Sequence, residues 1–157
     1  MREPPPAGAS RAGEGGIAIT RVFDAPRERV WKEWTESERF ADWFGGADAE
    51  IPLSTISMDV REGGTWRATM FAGPDRTEIR WRGEYREVVP PKRLVFTVTD
   101  RPDEVYELVI VDLVDLGDGR TEMRFEQRGH LAAEEYRRAR GGWATFFDRL
   151  AGRLTGA

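Results

Sequence analysis

Gly141-Gly142-Trp143-Ala144-Thr145-Phe146-Phe147-Asp148-Arg149-Leu150-Ala151-Gly152-Arg153-Leu154 repeats its large apolar residues at three- and four-residue steps. Trp143, Phe146, Phe147, Leu150 and Leu154 therefore predict a helix, starting near Ala132, with one wide aromatic and aliphatic stripe. Such a stripe needs a surface to cover it. The surface on offer is the series of alternating segments between Ile51 and Arg128, whose apolar residues would line one face of an antiparallel sheet. A sheet that curls around one helix can enclose a hollow, and a hollow lined with Trp, Met, Phe and Tyr points to small-molecule binding.

Upstream of that helix the pattern is short strands. Candidates are Ile51 to Val60, Gly64 to Phe71, Glu78 to Val89, Arg93 to Thr99, Val105 to Leu116 and Arg120 to Arg128. Hairpin-length turn signals separate most of them: Arg61-Glu62-Gly63-Gly64, Ala72-Gly73-Pro74-Asp75, Pro90-Pro91 and Gly117-Asp118-Gly119. An antiparallel meander follows. Before it, Ile17 to Phe23 reads as a strand with both faces partly covered. Asp24-Ala25-Pro26 then predicts a helix start, with Asp24 accepting from first-turn amides, and a helix Arg27 to Thr35 with Val30, Trp31 and Trp34 on one face and Glu33 among the polar residues elsewhere. Ser37 would cap a second short helix through Trp43, ended by Gly45-Gly46. Met1 to Gly16, proline- and glycine-rich, reads as a disordered tail. Gly141-Gly142, costly inside a helix, predicts a kink or a close approach to the sheet.

Composition narrows the function classes. The 157 residues fit a single domain, 17–157 after the tail. Charged residues make up 33% and the formal net charge is -4, so no global positive field attracts nucleic acid. Lys32 and Lys92 are the only lysines, an arginine bias that fits a GC-rich, bacterial genome. Without cysteine there are no disulfides, thiolate metal sites or thiol nucleophile, and His130 is the single histidine, so neither a metal site nor a hydrolytic triad is expected. No phosphate-loop spacing is present, and no cofactor is expected. No apolar run reaches the length of a membrane span, no leader is apparent, and the cytoplasm is the expected location.

Alternation assigns the inward faces: Trp66, Ala68 and Met70; Ile79, Trp81, Gly83 and Tyr85; Leu94, Phe96 and Val98; Val109, Val111 and Leu113; Met123, Phe125 and Gln127. Opposite them lie Arg80, Arg82, Glu84 and Arg86, and Glu122, Arg124, Glu126 and Arg128, which a one-residue slip would bury. Taken singly, each inward aromatic reads first as core. Together, the polar tips of Trp43, Trp66, Trp81, Tyr85 and Trp143 need partners that a polar or watered cavity would supply. The candidate ligand-binding set is Trp43, Trp66, Met70, Trp81, Tyr85, Phe96, Glu107, Val109, Met123, Phe125, Gln127, Trp143 and Phe147. Glu107 and Gln127 either meet water at the open end of the sheet or orient a ligand, where Glu107 would suit acid–base work. No catalytic set is assigned.

These residues also carry a family resemblance. Arg21-Val22-Phe23-Asp24-Ala25-Pro26 through Val30-Trp31 and Trp34, then Phe40-Ala41-Asp42-Trp43-Phe44-Gly45, resembles the opening of START-like (SRPBCC) proteins related to the activator of the heat-shock protein 90 ATPase. Gly63-Gly64-Thr65-Trp66, Gly83-Glu84-Tyr85 leading to Val89-Pro90-Pro91-Lys92-Arg93-Leu94-Val95-Phe96-Thr97, and Gly141-Gly142-Trp143 leading to Leu150 agree in order and spacing. The resemblance implies an α+β helix-grip: a curved antiparallel sheet of six or seven strands around a long C-terminal helix, with two short helices after the first strand. The apolar lining and the lack of a catalytic set make a non-enzymatic carrier of a hydrophobic or aromatic small molecule the leading function, and the family includes such carriers. A cyclase- or aromatase-type enzyme using Tyr85, Tyr106 or Glu107 is the alternative, and a chaperone ATPase-interacting module ranks last. Partners expected are the small molecule, with no nucleic acid and no membrane insertion; a homodimer stays open.

Overall fold

The computed structural model describes residues 16–101, 103 and 105–156. The stretch 1–15, most of the expected tail, lies outside the described residues, whereas Gly16 is the first residue of strand β1, Gly16–Phe23. Ile17, Ile19 and Phe23 are buried while Ala18, Thr20 and Val22 are exposed, so only one face of β1 is covered. That corrects the expectation of cover on both.

Two helices follow, α1 (Arg27–Thr35) and α2 (Ser37–Trp43), with the expected bounds. Their starts differ from expectation. Pro26 and Glu36 occupy the capping positions and neither helix start carries a side-chain cap, so Asp24 and Ser37 do not serve as such. The turn into α1 is held instead from the sheet, where the Thr121 hydroxyl donates to the Ala25 carbonyl at 2.7 Å.

One strand is expected from Ile51 to Val60, but pairing there is broken: β2 (Ala49–Glu50) ends before it, and a 3₁₀ turn (Leu53–Thr55) and the short β3 (Ser57–Met58) lie within it. Pro52 opens the turn, and a proline cannot donate to a ladder. The long strands are β4 (Thr65–Ala72), β5 (Thr77–Val89), β6 (Arg93–Val98), β7 (Glu107–Gly117) and β8 (Arg120–Arg128), followed by α3 (Ala133–Gly156). All pairings are antiparallel in the order β1-β8-β7-β6-β5-β4-β2, with β3 also on β4.

The sheet bends at β5. A register shift between Tyr85 and Glu87 marks a bulge against β6. Beside it, a Cβ on Gly83 would lie 1.7 Å from the Thr97 carbonyl oxygen, so only glycine lets the strands cross this closely. The Trp66 indole reaches past Gly83 to donate to the same carbonyl at 3.0 Å.

The stripe of α3 is buried as its periodicity predicts, with Trp143, Phe147, Leu150 and Leu154 in the core and Phe146 partly covered. Gly141 and Gly142 produce no break, since one continuous helix runs through both. At the start of α3, the Glu135 carboxylate accepts from the Ala132 amide at 2.9 Å, a capping contact reinforced by acidic first-turn residues.

Most of the space between sheet and helix is filled from α1. Trp34 is 1% exposed and has the rings of Phe40, Trp43, Phe96, Phe125, Trp143 and Phe147 within 6.4 Å. Such ring pairs add about 0.5–1.5 kcal/mol each beyond area burial. One wide hollow is thereby reduced to the part that Trp34 does not reach.

Candidate functional site

What remains open is a cavity of about 300 Å³ at the N-terminal end of α3. Trp81 of β5, Val98 of β6 and the residues after it (Thr99 to Arg101 and Val105) form one side. Ala139, Gly142, Trp143 and Phe146 of α3 form the other. Phe44 closes the inner end, and Glu107, Gln127, His130 and Leu131 supply the floor and mouth. Larger hollows of about 430 and 660 Å³ lie over β4 and β5, bordered by arginines and glutamates on the outer face, and are more open to solvent.

The sequence puts polar groups on the floor through strand alternation. Glu107 begins β7 and Gln127 nears the end of β8, and the register pairs Gln127 with Val109, two residues along from Glu107 on the same face. Glu107 is only 7% exposed. Its Oε1 accepts from Gln127 Nε2 at 3.1 Å and from the Tyr136 hydroxyl at 2.7 Å; its Oε2 accepts from the His130 amide at 2.8 Å. Gln127 Oε1 in turn accepts from the Trp143 indole at 2.8 Å, tying α3 to the carboxylate. The Leu131 amide donates to the Tyr136 hydroxyl at 3.3 Å.

Gly129 makes this floor possible. A Cβ there would fall 1.9 Å from Glu107 Oε2, so any side chain would push the carboxylate away. Burial, followed by the hydrogen bond to the Glu107 carboxylate, holds the Tyr136 phenol above its ordinary pKa. At the mouth, Arg101 forms two hydrogen bonds to Asp103, at 3.2 and 2.9 Å. That contact raises the guanidinium's pKa and lowers the carboxyl's.

Of the thirteen candidate residues, the structure brings Trp81, Glu107, Gln127 and Trp143 together around the cavity. The remaining nine (Trp43, Trp66, Met70, Tyr85, Phe96, Val109, Met123, Phe125 and Phe147) are buried core side chains away from its wall. Trp43 and Trp66 meet their polar needs with backbone carbonyls, those of Glu33 and Thr97, instead of a watered pocket. Tyr85 is buried with a hydroxyl that finds no partner among the described residues, and burial followed by the charge of Asp59 raises its pKa. Tyr106, the other tyrosine considered for catalysis, borders the outer hollow. The mouth, Thr99 to Arg101, Val105 and His130-Leu131, is not marked in the sequence because loops carry no periodicity, and Phe44, Val98 and Phe146 read as apolar residues with no sign of a ligand.

A second buried carboxylate was not foreseen. Glu33, expected on the polar side of α1, is fully buried. Arg153 Nε and a second guanidinium nitrogen reach its oxygens at 2.7 and 3.2 Å, and Arg39 adds a contact at 3.4 Å. Arg153 also binds the Asp42 carboxylate, and Arg149 donates to the Asp42 carbonyl at 2.6 Å. The hydrogen bond to Glu33, ahead of the further attraction of Asp42, raises the pKa of Arg153. Among the described residues no group of three His, Asp or Glu is placed to hold a metal, and no helix is long and apolar enough to cross a membrane.

A curled antiparallel sheet gripping one long helix, with short helices after the first strand, is the START-like helix-grip class, commonly a ligand-binding fold. The chain belongs to the family of activator of Hsp90 ATPase homolog 1-like proteins, whose model matches residues 24–155. Among solved structures, a Chromobacterium violaceum protein shares the fold with a TM-score of 0.80 and 22% identity over 89% of this chain and 96% of its own. The AHSA1 protein of Silicibacter pomeroyi gives a TM-score of 0.78 at 19% identity, over 88% of this chain and 96% of its own. A Nitrosomonas europaea protein gives 0.76 at 23%, over 90% and 95%. Identities this low establish architecture alone. No curated protein sequence gives a significant match.

Proposed function

We propose that the protein binds a small hydrophobic or aromatic molecule in the cavity between the sheet and α3. The observation that carries this is the 300 Å³ hollow itself, walled by Phe44, Trp81, Trp143 and Phe146 and floored by Glu107 and Gln127. An apolar wall with a few convergent polar groups is the usual make-up of a ligand site, and this volume lies at the small end of such sites, suited to one or two rings. Two local features support it. The Trp81 indole N–H is buried and has no partner among the described residues, leaving a donor for a ligand acceptor. Gly142 stands on the cavity side of α3, where a larger residue would favour the helix but occupy the space. We place this activity in the cytoplasm, a setting compatible with a cysteine-free sequence.

The test is a library of one- and two-ring metabolites followed by tryptophan fluorescence and thermal midpoint. A compound at a hundred times its dissociation constant adds about 2.7 kcal/mol of stability. Saturable quenching with stabilisation, abolished in Gly142→Leu, is the expected result. A flat response across the library, or a response that Gly142→Leu leaves intact, contradicts binding at this cavity.

A further inference from the structure

We propose that the molecule held in this cavity is a cation, an amine or other organic ammonium carried on an aromatic or aliphatic body. This rests on the cavity being a ligand site, as proposed above, and adds the charge of its occupant.

Glu107 carries the inference. Its carboxylate is buried on the cavity wall, yet every donor it receives is neutral: an amide side chain, a phenol and a backbone N–H. Among the described residues no side-chain nitrogen of Lys, Arg or His comes within ion-pairing distance. Neutral donors orient a carboxylate but leave its charge uncancelled, and a buried uncancelled charge is costly. A carboxylate has about four lone-pair positions. Oε1 uses two and Oε2 uses one, so a place remains for an N–H from the cavity.

The surroundings favour the same sign. Asp100 borders the cavity, and the single guanidinium at the mouth, Arg101, is held by Asp103 and lies in the field of Glu135 and Asp100. Carboxylates thus outnumber cations there, with the exposed His130 as the other titratable group. The π systems of the aromatic residues on the wall suit ammonium groups through cation–π attraction. A carboxylate-bearing ligand would meet Glu107 and Asp100 with like charge.

The experiment compares matched probes on the wild-type full chain at neutral pH: 2-phenylethylammonium and 2-(naphthyl)ethylammonium, the corresponding alcohols, and the corresponding propanoates. Dissociation constants come from tryptophan fluorescence and calorimetry. The ammonium members should bind at least ten-fold more tightly than the alcohols, with the propanoates weakest. Glu107→Gln should bring ammonium and alcohol within about three-fold of each other. Asp100→Asn, at the solvent-facing mouth, should narrow the gap by a smaller factor and keeps the test usable if Glu107→Gln does not fold. Alcohols or propanoates binding as tightly as the ammonium probes would overturn the charge assignment while leaving the cavity as a site. Binding by none of the probes would overturn both.

Discussion

The two ends of α3 each meet a buried carboxylate, and the two are served differently. Near the C-terminal end, Glu33 is clamped by Arg153, with Arg39 and Asp42 completing an ion cluster that ties α1 and α2 to α3. Near the N-terminal end, Glu107 is surrounded by neutral donors and opens on a cavity. In the first arrangement each carboxylate is answered by a guanidinium, and Trp34, whose own indole N–H finds no partner among the described residues, fills the space beside it. The second leaves a charge, an indole N–H on Trp81 and a hollow unanswered. An ion-paired carboxylate marks the structural end of the grip, and a carboxylate without a cation beside a hollow marks the end available to a ligand.

The largest expected effect comes from breaking the ion-paired end. Arg153→Met strands Glu33, and removal of one partner from a buried pair costs about 3 kcal/mol, toward the lower end of the usual range because Arg39 remains. Urea unfolding should show a lower midpoint with an unchanged slope, and ligand binding to the folded protein should persist.

Next in size is Tyr136→Phe, which removes a hydrogen bond to a charged group and should cost about 2 kcal/mol. Tyr85→Phe makes the contrast, because its hydroxyl is buried without a partner among the described residues; its removal should be neutral or stabilising by about 1 kcal/mol. Both phenols hold their protons above the ordinary value of 10.0 in the folded state. The folded protein keeps a proton there that the unfolded chain releases, so this stability is complete below that value and is lost as pH rises through the folded pKa values. Alkaline unfolding followed at several pH values should be steep in the wild type and shallower by one proton in either phenylalanine variant.

The smallest effect separates the two adjacent glycines. Gly141→Ala meets open space and Gly142→Ala only an ordinary contact, 3.7 Å from the Phe146 ring, so each should stabilise the helix by up to about 1 kcal/mol. Calorimetry should show both gains. Only Gly142→Ala, which faces the cavity, should weaken ligand binding.

Periodicity makes most of this fold legible in the sequence. The stripe from Trp143 to Leu154, the alternation of β4 to β8 and the charged outer faces of β5 and β8 all describe regular elements whose repeat is written in residue type. Ile51 to Val60 failed because Pro52 breaks a run whose composition still resembles a strand. The site was legible only in part. Glu107, Gln127, Trp81 and Trp143 belong to regular elements, and alternation or helical spacing aims them inward. The packing of Trp34 into the grip, which converts Phe96, Phe125 and Phe147 from possible lining into core, depends on how α1 docks, a tertiary fact with no local signature. Glu33 reads as a surface residue for the same reason: its partner Arg153 lies 120 residues away.

The six tryptophans allow the central claim, a ligand site at the Glu107 end of α3, to be tested in one measurement. Indole N–H resonances of ¹⁵N-labelled protein would be assigned by single Trp→Phe substitution and followed while a binding compound is titrated. Trp81, whose indole finds no partner among the described residues, and Trp143, whose indole donates to Gln127, should shift in a saturable manner. Trp43 and Trp66, bonded to the carbonyls of Glu33 and Thr97, should stay in place. Shifts confined to Trp43 and Trp66, or binding that moves no indole at all, would contradict a ligand site at this end of the helix.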